Sequence, residues 1–178
     1  MFEARPIDCT RRSTVLALLL TGLLCGCAGY RLGPSNGLTA REKSVFVATF
    51  ANETLRPRLE DDFTHAVRIG LQREGTFRLG HRSDCDIVVE GVIKRYLREG
   101  LSYESGDLVR VQDYNLVAIT HITAFEQRTG KKLIDQDLSG NTQIRAQNDL
   151  QSAEREATPL LAASLARKVV DLLADGSW

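Results

Sequence analysis

The stretch DIVVEGVIKRYLR, residues 86–98, decides the fold that this sequence can adopt. Its first half is apolar and β-branched, and apolar and charged residues alternate in its second half, as expected for a strand. Residues 99–107 contain two Gly and two Ser and predict a loop. Residues 108–127 then predict a longer strand, whose odd positions share one face: Val109, Val111, Val117, Ile119 and Phe125. A turn at Arg128-Thr129-Gly130 predicts a hairpin with a third strand over residues 131–144.

Upstream of this region, the sequence predicts a strand, a helix and a short strand. Residues 44–50, SVFVATF, are apolar on both faces, as a central strand would be. Pro57 suits the first position of a helix, and Gly75 suits its end. One apolar stripe recurs between them at three and four residues: Leu59, Phe63, Ala66, Val67, Gly70 and Leu71. Residues 77–80 lead from this helix toward residue 86.

A second helix is predicted over residues 149–174. One face carries Leu161, Leu165, Val169, Leu172 and Leu173, and Gly176 follows it. The pair Thr158-Pro159 is either a kink in this helix or its true start, because Thr caps and Pro opens a helix well. The whole order predicts an α+β two-layer sandwich, in which a mostly antiparallel sheet of four to five strands carries two α-helices on one face.

The lengths of these elements predict a sheet that extends past its helices. A helix of 17 residues covers about 26 Å, whereas a strand of similar length covers about 56 Å. An uncovered sheet edge is a place where another chain can pair. The geometry therefore predicts binding of a partner.

The N-terminus has the three parts of a bacterial lipoprotein signal peptide. Arg11 and Arg12 precede an apolar core of ten residues, 15–24, and the cleavage site Leu24-Cys25-Gly26-Cys27 follows. Ten helical residues span about 15 Å of a hydrocarbon core of roughly 30 Å, so a permanent span is disfavoured. Small Gly26 favours Cys27 as the lipidated residue over Cys25, which follows bulky Leu24. We expect a signal peptide at 1–26, a lipidated N-terminus and short tether at 27–41, and a single α+β domain at 42–178.

Export and charge limit the classes of function. Residues 10–16, TRRSTVL, resemble a twin-arginine signal, but general secretion is favoured because residues 14 and 15 fit that signal poorly and no cofactor motif follows.

Removal of residues 1–26 leaves 152 residues, with 20 basic and 21 acidic side chains. A nearly neutral chain with few basic clusters does not favour nucleic acid as a partner.

The sequence contains no motif for catalysis, for a cofactor or for a metal. Phosphate-binding loops, dinucleotide fingerprints and nucleophile elbows are missing, and His65, His81 and His121 have no metal-ligand spacing. Cys85 is the one cysteine left after Cys27 is lipidated, and it reads best as a small buried side chain entering a strand. We therefore expect a protein that is not an enzyme.

Two basic groups are candidates for binding an anionic glycolipid: Lys94, Arg95 and Arg98 on the first long strand, and Lys131 and Lys132 at the hairpin. Phosphorylated lipids are bound by such side chains. The alternative is a solvated strand face with an edge protected against aggregation.

Four segments resemble the LptE family of lipopolysaccharide-assembly lipoproteins. They are GYRL at 29–32, VFVATFANET at 45–54, PRLE at 57–60 and DIVVEGVI at 86–93. The order of elements through the last helix is also similar, so the resemblance covers nearly the whole mature chain. It implies a non-enzymatic lipoprotein on the periplasmic side of the outer membrane, anchored there by its lipid.

The resemblance also implies two partners. One is a large LptD-type β-barrel, whose lumen the lipoprotein plugs and whose folding it assists, and the other is lipopolysaccharide on its way to the outer leaflet. The alternative is a periplasmic lipoprotein that activates peptidoglycan synthases. Such activators usually carry a long linker, whereas only about 16 residues separate Cys27 from the first strand here.

Overall fold

One sheet and two helices contain most of the residues that the computed structural model describes, which are 41–104, 107–145 and 149–176. In chain order they are β1 (Lys43–Val47), β2 (Ala51–Asn52), α1 (Leu59–Glu74), β3 (Phe77–Leu79), β4 (Ile87–Glu104), β5 (Asp107–Glu126), β6 (Lys132–Arg145) and α2 (Leu150–Asp175). The predicted signal peptide, Cys27 and residues 28–40 of the tether lie outside the described residues. Within those residues, no helix has the length and hydropathy that a membrane span requires.

The six strands form a mixed sheet in the order β3-β1-β4-β5-β6, with β2 also paired to β4. β4, β5 and β6 are antiparallel neighbours, as predicted. β1 is parallel to β3 and β4, and β2 is parallel to β4. Parallel neighbours arise because the chain crosses over through α1 before it returns to the sheet. The predicted α+β class with two helices is confirmed. The sheet is mixed, whereas the sequence pattern predicted a mostly antiparallel sheet.

The core lies between the sheet and its two helices. The even residues of β5 face the helices and are buried, as at Leu116 and Ile122. Its odd residues Val117, Ile119 and Phe125 do share one face, and this is the half-exposed face away from the helices. On α1 the predicted stripe is buried at Leu59, Phe63, Val67 and Leu71. The two helices cross closely at Gly70, where a Cβ would lie 2.9 Å from Val170 Cγ2.

α1 begins at Leu59, two residues later than Pro57 predicted. Arg58 precedes it with a left-handed backbone, φ 68°, and Pro57 lies in the turn before Arg58. Gly75 ends the helix as predicted, at φ 83°, and its N–H donates to the Leu71 carbonyl at 3.2 Å. The positive φ explains glycine there, because other residues strain in this conformation.

α2 is continuous through Pro159, which settles the alternatives for its start. Asp149 caps the helix by accepting a hydrogen bond from the Gln151 N–H at 3.0 Å. Pro159 lies inside the helix. The Thr158 hydroxyl donates to the Glu154 carbonyl at 2.8 Å. The helix therefore starts at Leu150, and Thr158 does not cap it.

The loop predicted over residues 99–107 is wrong, because β4 continues to Glu104 and β5 starts at Asp107. Gly100 pairs with Tyr114, and register irregularities follow at residues 100–104. Pairing between the two strands therefore overrides a local composition that favours a loop. β4 spans about 59 Å for its 18 residues, against about 39 Å for the 26 residues of α2. These lengths agree with the predicted extension of the sheet past its helices.

Candidate functional site

A cleft of about 1240 Å³ opens beside β4 where the short parallel strand β2 ends. Asn52 is the last residue of β2 and pairs with Ile93. The Glu53 N–H still donates to the Ile93 carbonyl at 3.0 Å, and the chain then turns away from the sheet. β4 continues past this point, and the N-terminal turns of α1 and α2 form the other walls. The lining includes Leu55, Arg58, Tyr96, Gln151 and Arg155.

The Asn52 side chain organises the wall that faces β4. Its Oδ1 accepts hydrogen bonds from the Thr54 N–H at 3.0 Å and from the Thr54 hydroxyl at 2.8 Å. Its Nδ2 donates to the Arg56 carbonyl at 2.7 Å and to Glu60 Oε2 at 2.9 Å. Hydrogen bonds from its own backbone N–H and from Asn52 lower the pKa of Glu60. This bonded loop presents Leu55 fully to solvent.

A buried carboxylate joins three elements at the base of the cleft. The Glu154 side chain of α2 is 4% exposed and forms ion pairs with Arg56 of the loop and with Arg98 of β4, the latter at 2.8 Å. The Arg56 guanidinium lies 5.2 Å from the centroid of the Tyr96 ring. Burial raises the pKa of Tyr96, and the charge of Glu154 raises it further. The tyrosine hydroxyl is buried and has no hydrogen-bond partner in the described residues.

The three predicted basic residues of β4 all line this cleft. Lys94 pairs with Glu53 at 3.2 Å, and Arg98 pairs with Glu154, so two of the three positive charges have partners. Arg95 is exposed and forms no ion pair with a carboxylate of the described chain. Arg58 and Arg155 are likewise exposed on the lining and form no ion pair within 4 Å in the described residues, although Arg155 donates to the Ser152 hydroxyl at 2.9 Å. We call Arg58, Arg95 and Arg155 the unpaired arginines of the cleft.

Lys131 and Lys132 lie at the opposite end of the sheet from the cleft. They follow the β5–β6 turn, which is next to the pairing of Glu126 with Ile87. Arg95 is eight residues further along β4, or about 26 Å away along the strand. Lys132 donates to Asp135 at 2.6 Å, which lowers the pKa of that carboxyl group. The structure therefore separates the two predicted basic groups instead of bringing them together.

Four further residues of the cleft were missed by the sequence analysis: Arg56, Arg58, Glu154 and Arg155. One signal for Glu154 was present, because it lies three and seven residues before Ala157 and Leu161 on the buried face of α2. A carboxylate at a core position predicts a cationic partner, since burial of an unpaired charge is costly. The loop arginines carry no comparable signal.

The described residues contain no group of three His, Cys, Asp or Glu side chains that could hold a metal ion. Cys85 is buried, as expected, and its thiol lies 2.8 Å from Gln127 Oε1. Burial raises the pKa of Cys85, which disfavours the reactive thiolate. His121 lies between Asp135 and Asp137, at 3.0 and 2.7 Å. What the cleft offers chemically is cationic side chains, an exposed leucine and a strand edge.

Solved structures similar to this chain show its fold at low sequence identity. A protein from Xanthomonas campestris has 9% identity and a TM-score of 0.59, covering 82% of this chain and 91% of that one. A hypothetical protein from Chlamydia trachomatis has 11% identity and a TM-score of 0.53, covering 74% and 95%. A minor lipoprotein from Acinetobacter baumannii has 15% identity and a TM-score of 0.50, covering 74% and 92%. A search of curated proteins finds no significant match.

A comparison with models of protein families identifies the chain more directly. The model described as LptE, lipopolysaccharide-assembly, matches residues 42–173. The matched range begins next to β1 and ends inside α2, so it contains every strand and the walls of the cleft. The chain belongs to the LptE lipopolysaccharide-assembly family.

Proposed function

We propose that this protein is a lipoprotein, anchored through Cys27 to the periplasmic side of the outer membrane, that plugs and helps to assemble an LptD-type β-barrel and assists delivery of lipopolysaccharide. The observation that carries this proposal is the family match over residues 42–173. The protein acts by binding, without catalysing a reaction and without a cofactor.

The architecture supports a role as a plug. Long strands extend past two helices, and polar or charged residues alternate with apolar ones on β6, whose exposed positions include Asp135, Asp137 and Asn141. The lumen of a large outer-membrane barrel is polar, so a mixed surface of this kind suits it. The short tether after Cys27 would keep the domain at the membrane.

We further propose that phosphate groups of lipopolysaccharide contact Lys94, Arg95 and Arg98 at the cleft, and separately Lys131 and Lys132 at the hairpin. Guanidinium groups bind phosphate through two parallel hydrogen bonds, and ammonium groups act as point charges. Arg95 supports the first contact best, because its two neighbours already have carboxylate partners, Lys94 in Glu53 and Arg98 in Glu154.

The partner is tested by purifying the full-length tagged lipoprotein from detergent-solubilised envelopes. Recovery of a large outer-membrane β-barrel in stoichiometric amount is the expected result. Recovery of peptidoglycan synthases without a barrel would instead support the activator and overturn the proposal. A variant with Cys27→Ser separates binding from anchoring, because it should still bind the barrel when the two are mixed in detergent.

The two basic groups can be tested separately because they lie at opposite ends of the sheet. We expect Lys94→Ala with Arg95→Ala to weaken binding of lipopolysaccharide, measured by co-purification of the glycolipid with the full-length protein. Lys131→Ala with Lys132→Ala is the matched pair for the hairpin. If neither double substitution weakens binding of lipopolysaccharide, the four substituted residues are removed from the glycolipid proposal. Arg98 is left unchanged, because its replacement would remove one of the two cationic partners of the buried Glu154 carboxylate.

A further inference from the structure

The backbone of β4 changes the side to which it points its hydrogen-bonding groups. Up to Ile93, the odd residues face β1 and β2: the Val89 carbonyl accepts from the Ala48 N–H at 2.9 Å, and the Ile93 carbonyl accepts from Glu53 at 3.0 Å. Because N–H and C=O groups alternate in direction along a strand, the even residues of this part face β5.

A register irregularity between Ile93 and Arg95 inserts one residue and reverses this pattern. Beyond it, Arg95 pairs with Ile119 and the even residues Tyr96, Arg98 and Gly100 turn their backbone groups away from β5. β2 has already ended, so no described strand lies beside them. We call the backbone of Tyr96, Arg98 and Gly100 the open edge of β4; it forms one side of the cleft.

The outer edge of β6, in contrast, is covered by α2. Lys168 of α2 donates to the Ser139 carbonyl at 2.5 Å, and the Asn141 N–H donates to the Ser164 hydroxyl at 3.2 Å. Helix α2 therefore satisfies backbone groups that would otherwise be open to another strand. At the other side of the sheet, β3 is only three residues long. The open edge of β4 is longer and lacks such a cover in the described chain.

The charge around the open edge favours an acidic ligand. The three unpaired arginines lie on the lining of the cleft. Of the three carboxylates on that lining, Glu53 and Glu154 are paired with cations and Asp62 is not paired with a cation among the described residues, so positive charge is in excess. An extended peptide in the cleft would hydrogen-bond through its backbone, and its alternate side chains would face opposite sides of the sheet. Those on the helix side would lie near Arg58 and Arg155, and those on the other side near Arg95, which pairs with Ile119. Glutamate and aspartate are the residues that match these guanidinium groups.

The same charges argue against two nearer occupants. The tether at 28–41 contains Arg31 and Arg41 and no carboxylate, so it is not complementary to the edge. A second copy paired edge to edge would bring its own Arg95 and Arg58 against those of the first copy, and like charges in a paired edge are destabilising.

We infer that an extended acidic segment of another protein adds to the sheet as a further strand, pairing with the backbone of Tyr96, Arg98 and Gly100. The segment lies between β4 and the loop that Asn52 organises, and Leu55 packs against its apolar side chains. This inference goes beyond the proposed function, because it requires neither the barrel nor the glycolipid. The proposed glycolipid contact uses the side chains of Lys94 and Arg95, whereas the added strand pairs with the backbone of β4 and uses the Arg95 side chain only for its preference for acidic residues.

Hydrogen exchange of the full-length lipoprotein in nonionic detergent tests this inference. The probe is a ten-residue peptide that alternates glutamate and valine, and the matched probe has lysine in place of glutamate. We expect the acidic peptide to slow exchange at Tyr96, Arg98 and Gly100 by about tenfold, as local protection by a bound strand would. The lysine peptide should leave their exchange unchanged. Equal effects of the two probes, or no protection by either, would overturn the inference.

Two sets of variants make the test specific. Gly100→Pro removes an outward N–H without removing a hydrogen bond to β5, whereas Gly100→Ala keeps that N–H. We expect about tenfold weaker binding of the acidic peptide to the proline variant only. If Gly100→Pro does not fold, Arg58→Glu with Arg95→Glu provides the test, and undiminished binding of the acidic peptide contradicts the inference. Protection of these amides by lipopolysaccharide but not by the peptide would also overturn it, while leaving the proposed function intact.

Discussion

The Glu154 carboxylate shows how one residue can hold several elements together. It is buried in α2 and contacts Arg56 of the loop and Arg98 of β4. Removal of one charge from a buried ion pair leaves the remaining charge desolvated and without a partner. The substitution therefore costs more stability than the intact ion pair contributes. Arg56 and Arg98 are 24% and 47% exposed, so both can be partly rehydrated.

We therefore predict that Glu154→Ala lowers the free energy of unfolding by about 2–3 kcal/mol, below the range for a fully buried pair. Urea denaturation measures the difference. Glu156→Ala is the matched control, because Glu156 is exposed on the same helix and should change stability by less than about 0.5 kcal/mol. Equal effects of the two substitutions would show that the buried ion pairs contribute nothing specific.

Asp86 links the start of β4 to β1 through hydrogen bonds to Ser44. Because its carboxylate must be ionised to form them fully, we expect the folded protein to lose stability in acid. Its Oδ2 accepts from the Ser44 N–H at 2.7 Å and from the Ser44 hydroxyl at 2.8 Å, and these bonds lower the pKa of Asp86 below its ordinary value of 3.8. A lowered pKa in the folded state stabilises the protein above the unfolded pKa, and this stabilisation is lost as the pH falls through the folded pKa.

We expect Asp86→Asn to lower the free energy of unfolding at pH 7. On acidification below about pH 4, the variant should lose less additional stability than the unchanged protein does. Unfolding curves at several pH values provide the measurement. The control is Asp84→Asn, since Asp84 contacts the Ser44 hydroxyl only through its backbone carbonyl, at 3.5 Å. An unchanged pH profile in Asp86→Asn would contradict this assignment.

At the scale of elements, Gly140 fixes how closely α2 packs on β6. A Cβ at this position would lie 2.8 Å from the Leu161 carbonyl oxygen and 3.0 Å from Leu165 Cβ. The backbone of α2 would have to move to make room, because neither atom belongs to the end of a flexible side chain. The hydrogen bonds from α2 to the outer edge of β6 depend on the same close approach.

Gly140→Ala should therefore destabilise the protein by about 1–3 kcal/mol through overpacking. The matched substitution Ser139→Ala should be nearly neutral, because Ser139 is exposed and contributes its backbone carbonyl to Lys168. Thermal unfolding of both variants checks the prediction. A stable Gly140→Ala variant would show that the contact between α2 and β6 is loose.

Element types could be predicted from the sequence because their signals are local. The apolar stripe of α1 and the end at Gly75 are confirmed. Residues 99–107 could not be assigned in this way, because their strand structure depends on pairing with β5. The start at Leu59 and the continuity of α2 through Pro159 also depend on contacts outside the local sequence.

At the scale of the whole molecule, the proposed lipid anchor on Cys27 would determine where the domain acts. We predict that Cys27→Ser moves the protein from the membrane fraction to the soluble periplasmic fraction and removes the mass of the attached lipid. Cys25→Ser should stay in the membrane fraction, because Gly26 favours lipidation at Cys27. Fractionation with mass spectrometry provides the measurement, and the reverse pattern would assign the lipid to Cys25.

The candidate site was predictable only in part. Lys94, Arg95 and Arg98 could be chosen because they follow one another on a predicted strand, and they do share the cleft. That Lys131 and Lys132 lie at the opposite end of the sheet could not be foreseen without the register of β4, β5 and β6. Arg56 and Glu154 are 98 residues apart, and only the packing of α2 against the loop joins them.

The sequence by itself determined the α+β class and the order of the elements, and it predicts the export signal, because each of these follows from short-range patterns of hydropathy, turn residues and charge. The tertiary structure alone decided which charges pair and which strand edge stays open. A single inserted residue between Ile93 and Arg95 reverses the direction of the β4 backbone groups, and β2 ends beside it. Such register is set by long-range hydrogen bonding between strands, so no local pattern encodes it.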